Sequence, residues 1–263
     1  MPLTVQNVNV HVVDVGAGTP TLFVHGVADS SDVWAGVISR LKKNYRCLAF
    51  DLPNFNRSSG PEDFDCSLEN MAAFVDGVVT AIGIKEPLNL VVHDFGGPFG
   101  LAWAIKHPEK IKHLVIMDTV FFSDYRWHFW AKVWRTPLLG ELSWKLMSQW
   151  IFIQEMKRGS RRLDVDHLRQ TFAVIKPAMH RMILRLYRAT DPENFKGWED
   201  ELLKVTSRVP TCVIWGDRDP YISKRFAERF GAGTVHHLKD SGHWIQVEEV
   251  DKVAQLLLNF FSK

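Results

Sequence analysis

Short apolar runs that end in turn residues and alternate with amphipathic stretches dictate what this chain can fold into. Thr21-Leu22-Phe23-Val24, Tyr45 to Phe50, Leu88 to His93 and His113 to Met117 each read as a buried strand. Between them come a helix that Ser31 would cap, with Val33, Trp34, Val37, Ile38 and Leu41 inward, a second from about Ser67 to Ile82 and a third from Gly97 to His107. Val5 to Val15 alternates apolar and polar residues and meets Gly16-Ala17-Gly18-Thr19-Pro20, a hairpin arm and its turn. Strand–helix alternation with short loops predicts a parallel sheet with helices on both faces. From Val120 to about Asp191 the alternation stops, leaving only helical segments dense in aromatic and basic residues. It resumes with Thr211 to Trp215, a helix near Ser223 to Phe230, a strand at Thr234 to Leu238 and a last helix after Glu248. The expected architecture is an α/β core over 1–119 and 192–263, interrupted by a helical cap over 120–191.

Composition narrows the function classes. A chain of 263 residues with 46% hydrophobic content and no low-complexity stretch has room for a full core. A net charge of +2 gives no reason to expect a nucleic-acid partner. There is no 18-residue apolar stretch and no basic-then-apolar leader at Met1-Pro2-Leu3-Thr4, so neither a membrane span nor a signal peptide is expected. Three cysteines, with Cys47 and Cys212 inside apparent strands, point to buried thiols in a reducing compartment and to a cytoplasmic protein. No metal-ligand cluster or phosphate-binding glycine loop is present, and no cofactor is expected.

Three loops at strand ends carry the candidate chemistry. Val91-Val92-His93-Asp94-Phe95-Gly96-Gly97 reads as a strand entering a tight turn, with Val92 and Gly96 flanking Asp94 at the spacing of a G-x-S-x-G elbow and aspartate where serine would stand. A carboxylate attacks saturated carbon well, whereas on an ester carbonyl it gives a reactive anhydride. Trp215-Gly216-Asp217-Arg218-Asp219-Pro220 follows the strand after the cap, and Ser241-Gly242-His243-Trp244 precedes the final helix. In open α/β sheets such loops meet at the carboxyl ends of the strands.

Nearly the whole chain resembles an α/β-hydrolase of the epoxide hydrolase and haloalkane dehalogenase branch. His93-Asp94-Phe95-Gly96-Gly97 resembles that branch's H-D-W-G-G or H-D-W-G, Gly242-His243-Trp244-Ile245-Gln246 its G-H-W-x-Q loop, and His25-Gly26 its oxyanion loop. The resemblance implies the α/β-hydrolase fold and a two-step mechanism. Asp94 forms an alkyl ester by displacement at carbon, and His243, oriented by an acid, activates water to hydrolyse it. Asp219 holds the family's usual acid position, Asp118 the place some dehalogenases use, and Asp217 is a third candidate. The amides of Val27 and Phe95 would form the oxyanion hole. His25 and His93 read as structural, and the bland reading of Asp94 is a helix cap.

Substrate choice rests on a few positions. Dehalogenases of this family place a tryptophan directly after the nucleophile and often an asparagine after His-Gly. Here Phe95 and Val27 stand there, with no side-chain N–H for a halide. A cap tryptophan (Trp127, Trp130 or Trp134) is the available replacement. Epoxide hydrolases use cap tyrosines as donors. Of four tyrosines, Tyr125 and Tyr187 lie in the cap, and Tyr187-Arg188 resembles the pair that carries one such donor, although both could simply pack. Ala28 replaces the proline of H-G-x-P, and Asn54 and Asn56 stand where the family has glycines, which asparagine's tolerance of positive φ allows. Ten tryptophans and the crowding of Phe121, Phe122, Tyr125, Trp127, Phe129, Trp130 and Trp134 favour a small apolar substrate, with Trp130 lining its pocket. The basic run Met156 to Arg162 reads as a solvated face, or as a contact for an acidic partner or membrane surface. The expectation is an epoxide hydrolase-like enzyme, with haloalkane dehalogenation as the alternative.

Overall fold

The computed structural model describes residues 3–263. The N-terminal arm is two units rather than one. β1 (Leu3–Val5) and β2 (Val8–Val10) form a separate antiparallel hairpin, because Gln6 and Asn7 both take positive φ (50° and 61°) and turn the chain. β3 (Val12–Val15) then joins the main sheet antiparallel to β5 (Arg46–Phe50).

The main sheet has seven strands in the order β3-β5-β4-β6-β7-β8-β9, adding β4 (Pro20–Val24), β6 (Leu88–His93), β7 (Ile111–Met117), β8 (Thr211–Gly216) and β9 (Thr234–Leu238). All neighbours after β3 pair parallel. Every residue of β4, β6 and β8 is buried, as expected of strands covered on both faces.

The crossovers are α1 (Ala35–Leu41), α2 (Leu68–Ile82) and α3 (Gly96–Lys106). Ser67 caps α2 from the Asn70 amide, and Gly83, at φ 82°, ends it. Ser31, expected to cap the first helix, does not. A 3-10 turn over Ser31–Trp34 precedes α1 and is capped by Ser30, while the Ser31 amide and hydroxyl both bind Asp51 at 2.7 Å.

Between β7 and β8 the chain makes six α-helices and no strand, the first five being α4 (Phe129–Arg135), α5 (Leu139–Leu146), α6 (Gln149–Gly159), α7 (Val165–Val174) and α8 (Pro177–Ala189). Then comes α9 (Trp198–Thr206), which sequence reading missed because it starts on Gly197 with no capping side chain. The helix expected near Ser223 to Phe230 is a 3-10 stretch, Lys224–Phe230, closed by Gly231 at φ 64°. α10 (Ile245–Glu248) and α11 (Val250–Phe261) finish the chain. Asn54 and Asn56 do adopt positive φ (63° and 42°). Cys47, Cys66 and Cys212 are buried free thiols. Among the described residues no helix is long and apolar enough to cross a membrane.

Candidate active site

Parallel register delivers the ends of β4, β6, β7 and β8, and the loop after β9, to one edge of the sheet. Asp94 sits at the apex after β6 with φ 48°. A non-glycine residue is held there by its surroundings: its carbonyl accepts from the Gly97 amide at 2.9 Å and from the Thr119 hydroxyl. The turn leaves no room for side chains beside it. A Cβ at Gly96 would overlap the Val24 carbonyl, and one at Gly26 would overlap the Asp94 carboxylate itself.

The carboxylate is not a helix cap. Its Oδ2 accepts from the Val27 amide at 2.7 Å, and its Oδ1 lies 3.6 Å from His243 Nε2. Burial raises the Asp94 pKa, but His243, with help from the Phe95 amide, outweighs it and holds the group below the usual carboxylate range. His243 Nδ1 donates to Asp219 Oδ2 at 2.7 Å. Asp219 is fixed in turn through Oδ1, which accepts from the amides of Tyr221 (2.7 Å) and Ile222 (3.1 Å). Burial lowers the His243 pKa, yet Asp219 and Asp94 together leave it well above the ordinary value.

The other acid candidates have different partners. Asp118 Oδ1 accepts from the Gly216 amide at 2.9 Å, and its Oδ2 is buried without a partner. Burial first, and the Asp219 charge second, push its pKa well above the ordinary carboxylate range, which favours the neutral carboxyl. Asp217 faces outward to His237 and Lys224.

The histidine loop is gripped from several sides. The His243 amide donates to the Gly159 carbonyl at 2.9 Å, the Trp244 amide to Ser160 Oγ at 2.8 Å, and the Trp244 indole to Asp29 at 2.7 Å. His93 Nε2 donates to the His243 carbonyl at 2.9 Å while its Nδ1 accepts from Gln246 at 3.1 Å. Burial drives the His93 pKa to about 3, so this ring is a neutral support. His25 bridges the Gly26 carbonyl and the Leu52 amide (3.0 Å). The basic run at Met156 to Arg162 thus ends in the histidine loop, and Arg162 binds Ser241 and Glu249 rather than only solvent.

An apolar cavity opens over Asp94. Val27, Phe95, Tyr125, Trp130, Tyr187 and His243 all line it, so every residue singled out for substrate or oxyanion reaches one space with Asp94. Tyr125 and Tyr187 are not equivalent. The Tyr125 hydroxyl is committed to the Tyr221 carbonyl at 3.1 Å. The Tyr187 hydroxyl has no hydrogen bond among the described residues; burial, then the Asp94 charge, keep it firmly protonated.

Sequence reading missed three residues. His128 lines the cavity with its ring beside Tyr187 and Tyr221. Its Nδ1 accepts from the Ala131 amide at 3.4 Å, which leaves the proton on Nε2, and burial lowers its pKa to about 4. Tyr221 packs edge-on to His243 and bonds Glu155 at 3.0 Å. Asp29 sits under Trp244, its pKa raised by burial to about 7. A titratable residue inside the run Trp127-His128-Phe129-Trp130 was the available signal for the first.

The family model for the α/β-hydrolase fold matches residues 19–250, and the chain belongs to that family. A cis-3-alkyl-4-alkyloxetan-2-one decarboxylase of Shewanella oneidensis is 26% identical, over 96% of this chain and 85% of its own length. A haloalkane dehalogenase of Agrobacterium fabrum is 35% identical over 42% of this chain and 36% of its own. The Cif epoxide hydrolase of Acinetobacter nosocomialis superposes with a TM-score of 0.87 at 22% identity, over 98% of this chain and 87% of that one, a likeness of fold.

Proposed function

We propose that the protein is a hydrolase in which Asp94 is the nucleophile, His243 the base and Asp219 its orienting acid, and that it opens small apolar epoxides to diols. The observation that carries this reading is the uncommitted, protonated Tyr187 hydroxyl in the cavity over Asp94. Asp94 Oδ2 already rests on the Val27 amide, so Oδ1 is the attacking oxygen. As the Oδ1–carbon bond forms, the ring C–O bond breaks, and the ring oxygen takes up negative charge. Tyr187 donates to that oxygen, with the His128 Nε2–H as a second donor.

Ester formation changes the charge on His243. In the free enzyme two carboxylates hold it protonated; alkylation of Asp94 removes one of them, so its pKa falls, its proton passes to the ring-opened alkoxide that Tyr187 holds, and Nε2 is left free as a base. Water gives its proton to His243 and attacks Asp94 Cγ. The oxyanion develops on Oδ2, where the Val27 and Phe95 amides wait, and a lost donor there costs roughly 3–4 kcal/mol. Collapse breaks the bond between Asp94 Cγ and Oδ1, the imidazolium gives its proton to the departing alkoxide, and the new Asp94 carboxyl then passes the second water proton to His243, which restores the starting state.

A second reading has its own support. The Trp127 indole N–H is buried without a partner on the cavity wall, its ring 6.1 Å from Phe95 and parallel to it. Such a donor would suit a departing halide. The Shewanella relative's name also points to an oxetan-2-one, another strained oxygen ring.

The test is His243→Gln challenged with epoxides, oxetan-2-ones and haloalkanes, recording diol, carbon dioxide and halide alongside the mass of the Asp94 peptide. An adduct and diol from epoxides support the reading. Halide release with no epoxide turnover moves the assignment to dehalogenation, and no adduct from any class removes the covalent mechanism.

A further inference from the structure

Exposed large apolar side chains concentrate in one stretch of the chain, on α4, α5, α6 and the links between them. Six of the eight in the described chain are Phe129, Leu138, Leu139, Leu142, Leu146 and Trp150, each 50–82% exposed. Scattered exposed leucines need no account, but this clustering does. Leu139, Leu142 and Leu146 fall on one face of α5, while Trp144 of the same helix turns inward and stacks on Trp134 of α4.

Lysines share these outer faces. Lys132 lies one turn after Phe129, Lys145 between Leu142 and Leu146, and Lys157 two turns after Trp150. None of the three makes an ion pair among the described residues. From Phe129 to Ala189 twelve Lys and Arg stand against four Asp and Glu, a net +8; the remaining 20 Lys and Arg against 26 Asp and Glu leave −6, within a total of +2. Over the proposed face itself, Phe129 to Gly159, five Lys and Arg stand against two Asp and Glu, so a second copy docked there would set +3 against +3. An anionic surface would attract the insertion and repel the rest, fixing one orientation.

We propose that the outer face of α4–α6 docks on an anionic lipid surface, with Leu138, Leu139, Leu142, Leu146 and Trp150 entering the boundary between headgroups and acyl chains. Helices with an apolar face bordered by lysines lie in that plane. Trp130, Trp134, Trp144 and Met147, on the same helices and their links, wall the cavity. Docking therefore brings the cavity's outer wall against the phase in which apolar compounds concentrate. This placement does not depend on which bond the site breaks.

The experiment is co-sedimentation of the full chain with vesicles of phosphatidylcholine alone or with about 30% phosphatidylglycerol, with its mass followed by analytical ultracentrifugation. The bound fraction should be about tenfold higher on the anionic vesicles and should fall as salt screens the attraction. The Leu142→Ser/Leu146→Ser/Trp150→Ser variant and the Lys132→Glu/Lys145→Glu variant should each abolish the difference while keeping the parent's circular dichroism and thermal transition. No binding to anionic vesicles at low salt, or equal binding to both compositions, overturns the proposal. So does a concentration-dependent dimer that the triple variant dissolves, which would assign the face to a second copy.

Discussion

His243 stands between two carboxylates, 2.7 Å from Asp219 and 3.6 Å from Asp94, and their roles separate by what else each one touches. Asp94 is shared with the Val27 amide and the cavity; the Asp219 side chain is covered and tied to two backbone amides. Asparagine at 219 keeps the shape but removes the charge and favours the wrong imidazole tautomer. We expect Asp219→Asn to lower turnover by about 10³–10⁴-fold with the fold intact. Single-turnover kinetics check this, and a loss under tenfold would return Asp118 to consideration. Tyr125 and Tyr187 give a second, paired prediction. Tyr187→Phe should cut epoxide turnover by about 10²-fold with little effect on stability, since its hydroxyl bonds nothing among the described residues. Tyr125→Phe should instead cost about 1 kcal/mol in urea unfolding and leave most of the activity, because its hydroxyl serves the Tyr221 carbonyl. If the two variants exchange behaviours, the donor assignment is wrong. Sequence patterns place both tyrosines in the cap, but the bond that distinguishes them joins residues 96 apart, which no local spacing reveals.

At the scale of elements, β6, the elbow and α3 were legible because strand, turn and helix there are dictated by neighbours in sequence. A continuous apolar run ends at His93, and the glycines at 96 and 97 stand where any side chain would collide with β4 or Thr119. What the sequence hid is the contact between α6 and the histidine loop. Gly159 and Ser160 hold His243 and Trp244 by two bonds to their amides, across 84 residues in each case. A Cβ at Gly242 would overlap the Gly159 carbonyl. Gly242→Ala should therefore push the loop away from the insertion and misplace His243, and misplacement on the order of 1 Å can cost about 10²-fold. The expected outcome is a fall of that size in turnover with an unchanged circular dichroism spectrum. Near-parental turnover would mean that the loop tolerates release from α6. The same contact explains why the basic run at its end is not merely a solvated face.

Across the whole molecule, buried titratable groups set opposing pH dependences. His93, at about 3, and His128, at about 4, have folded pKa values below the unfolded value of about 6.5, and burial lowers His25 as well. Between those folded values and pH 6.5 the unfolded chain binds more protons at these sites, so the three histidines make stability rise with pH and then level off. Asp29 and Asp118 act oppositely. Their folded pKa values are raised, to about 7 for Asp29 and well above the ordinary range for Asp118, so the folded state holds the extra proton and stability falls as pH rises. His243 is raised too; its contribution is complete below about 6.5 and is lost as pH climbs through its folded value. Burial lowers His113, His167, His180 and His236 as well, so below pH 6.5 seven histidines outweigh two carboxyls, and above it the declining groups dominate. Urea unfolding from pH 5 to 9 should thus show a maximum within about a unit of pH 6.5. Asp29→Asn retains an acceptor for the Trp244 indole and removes the need to ionise a buried carboxyl. That variant should gain on the order of 2–4 kcal/mol over the parent at pH 8 and much less at pH 5. A gain that is the same at both pH values would show that Asp29 does not titrate in this window, and that the decline above neutrality belongs to Asp118 and His243 alone.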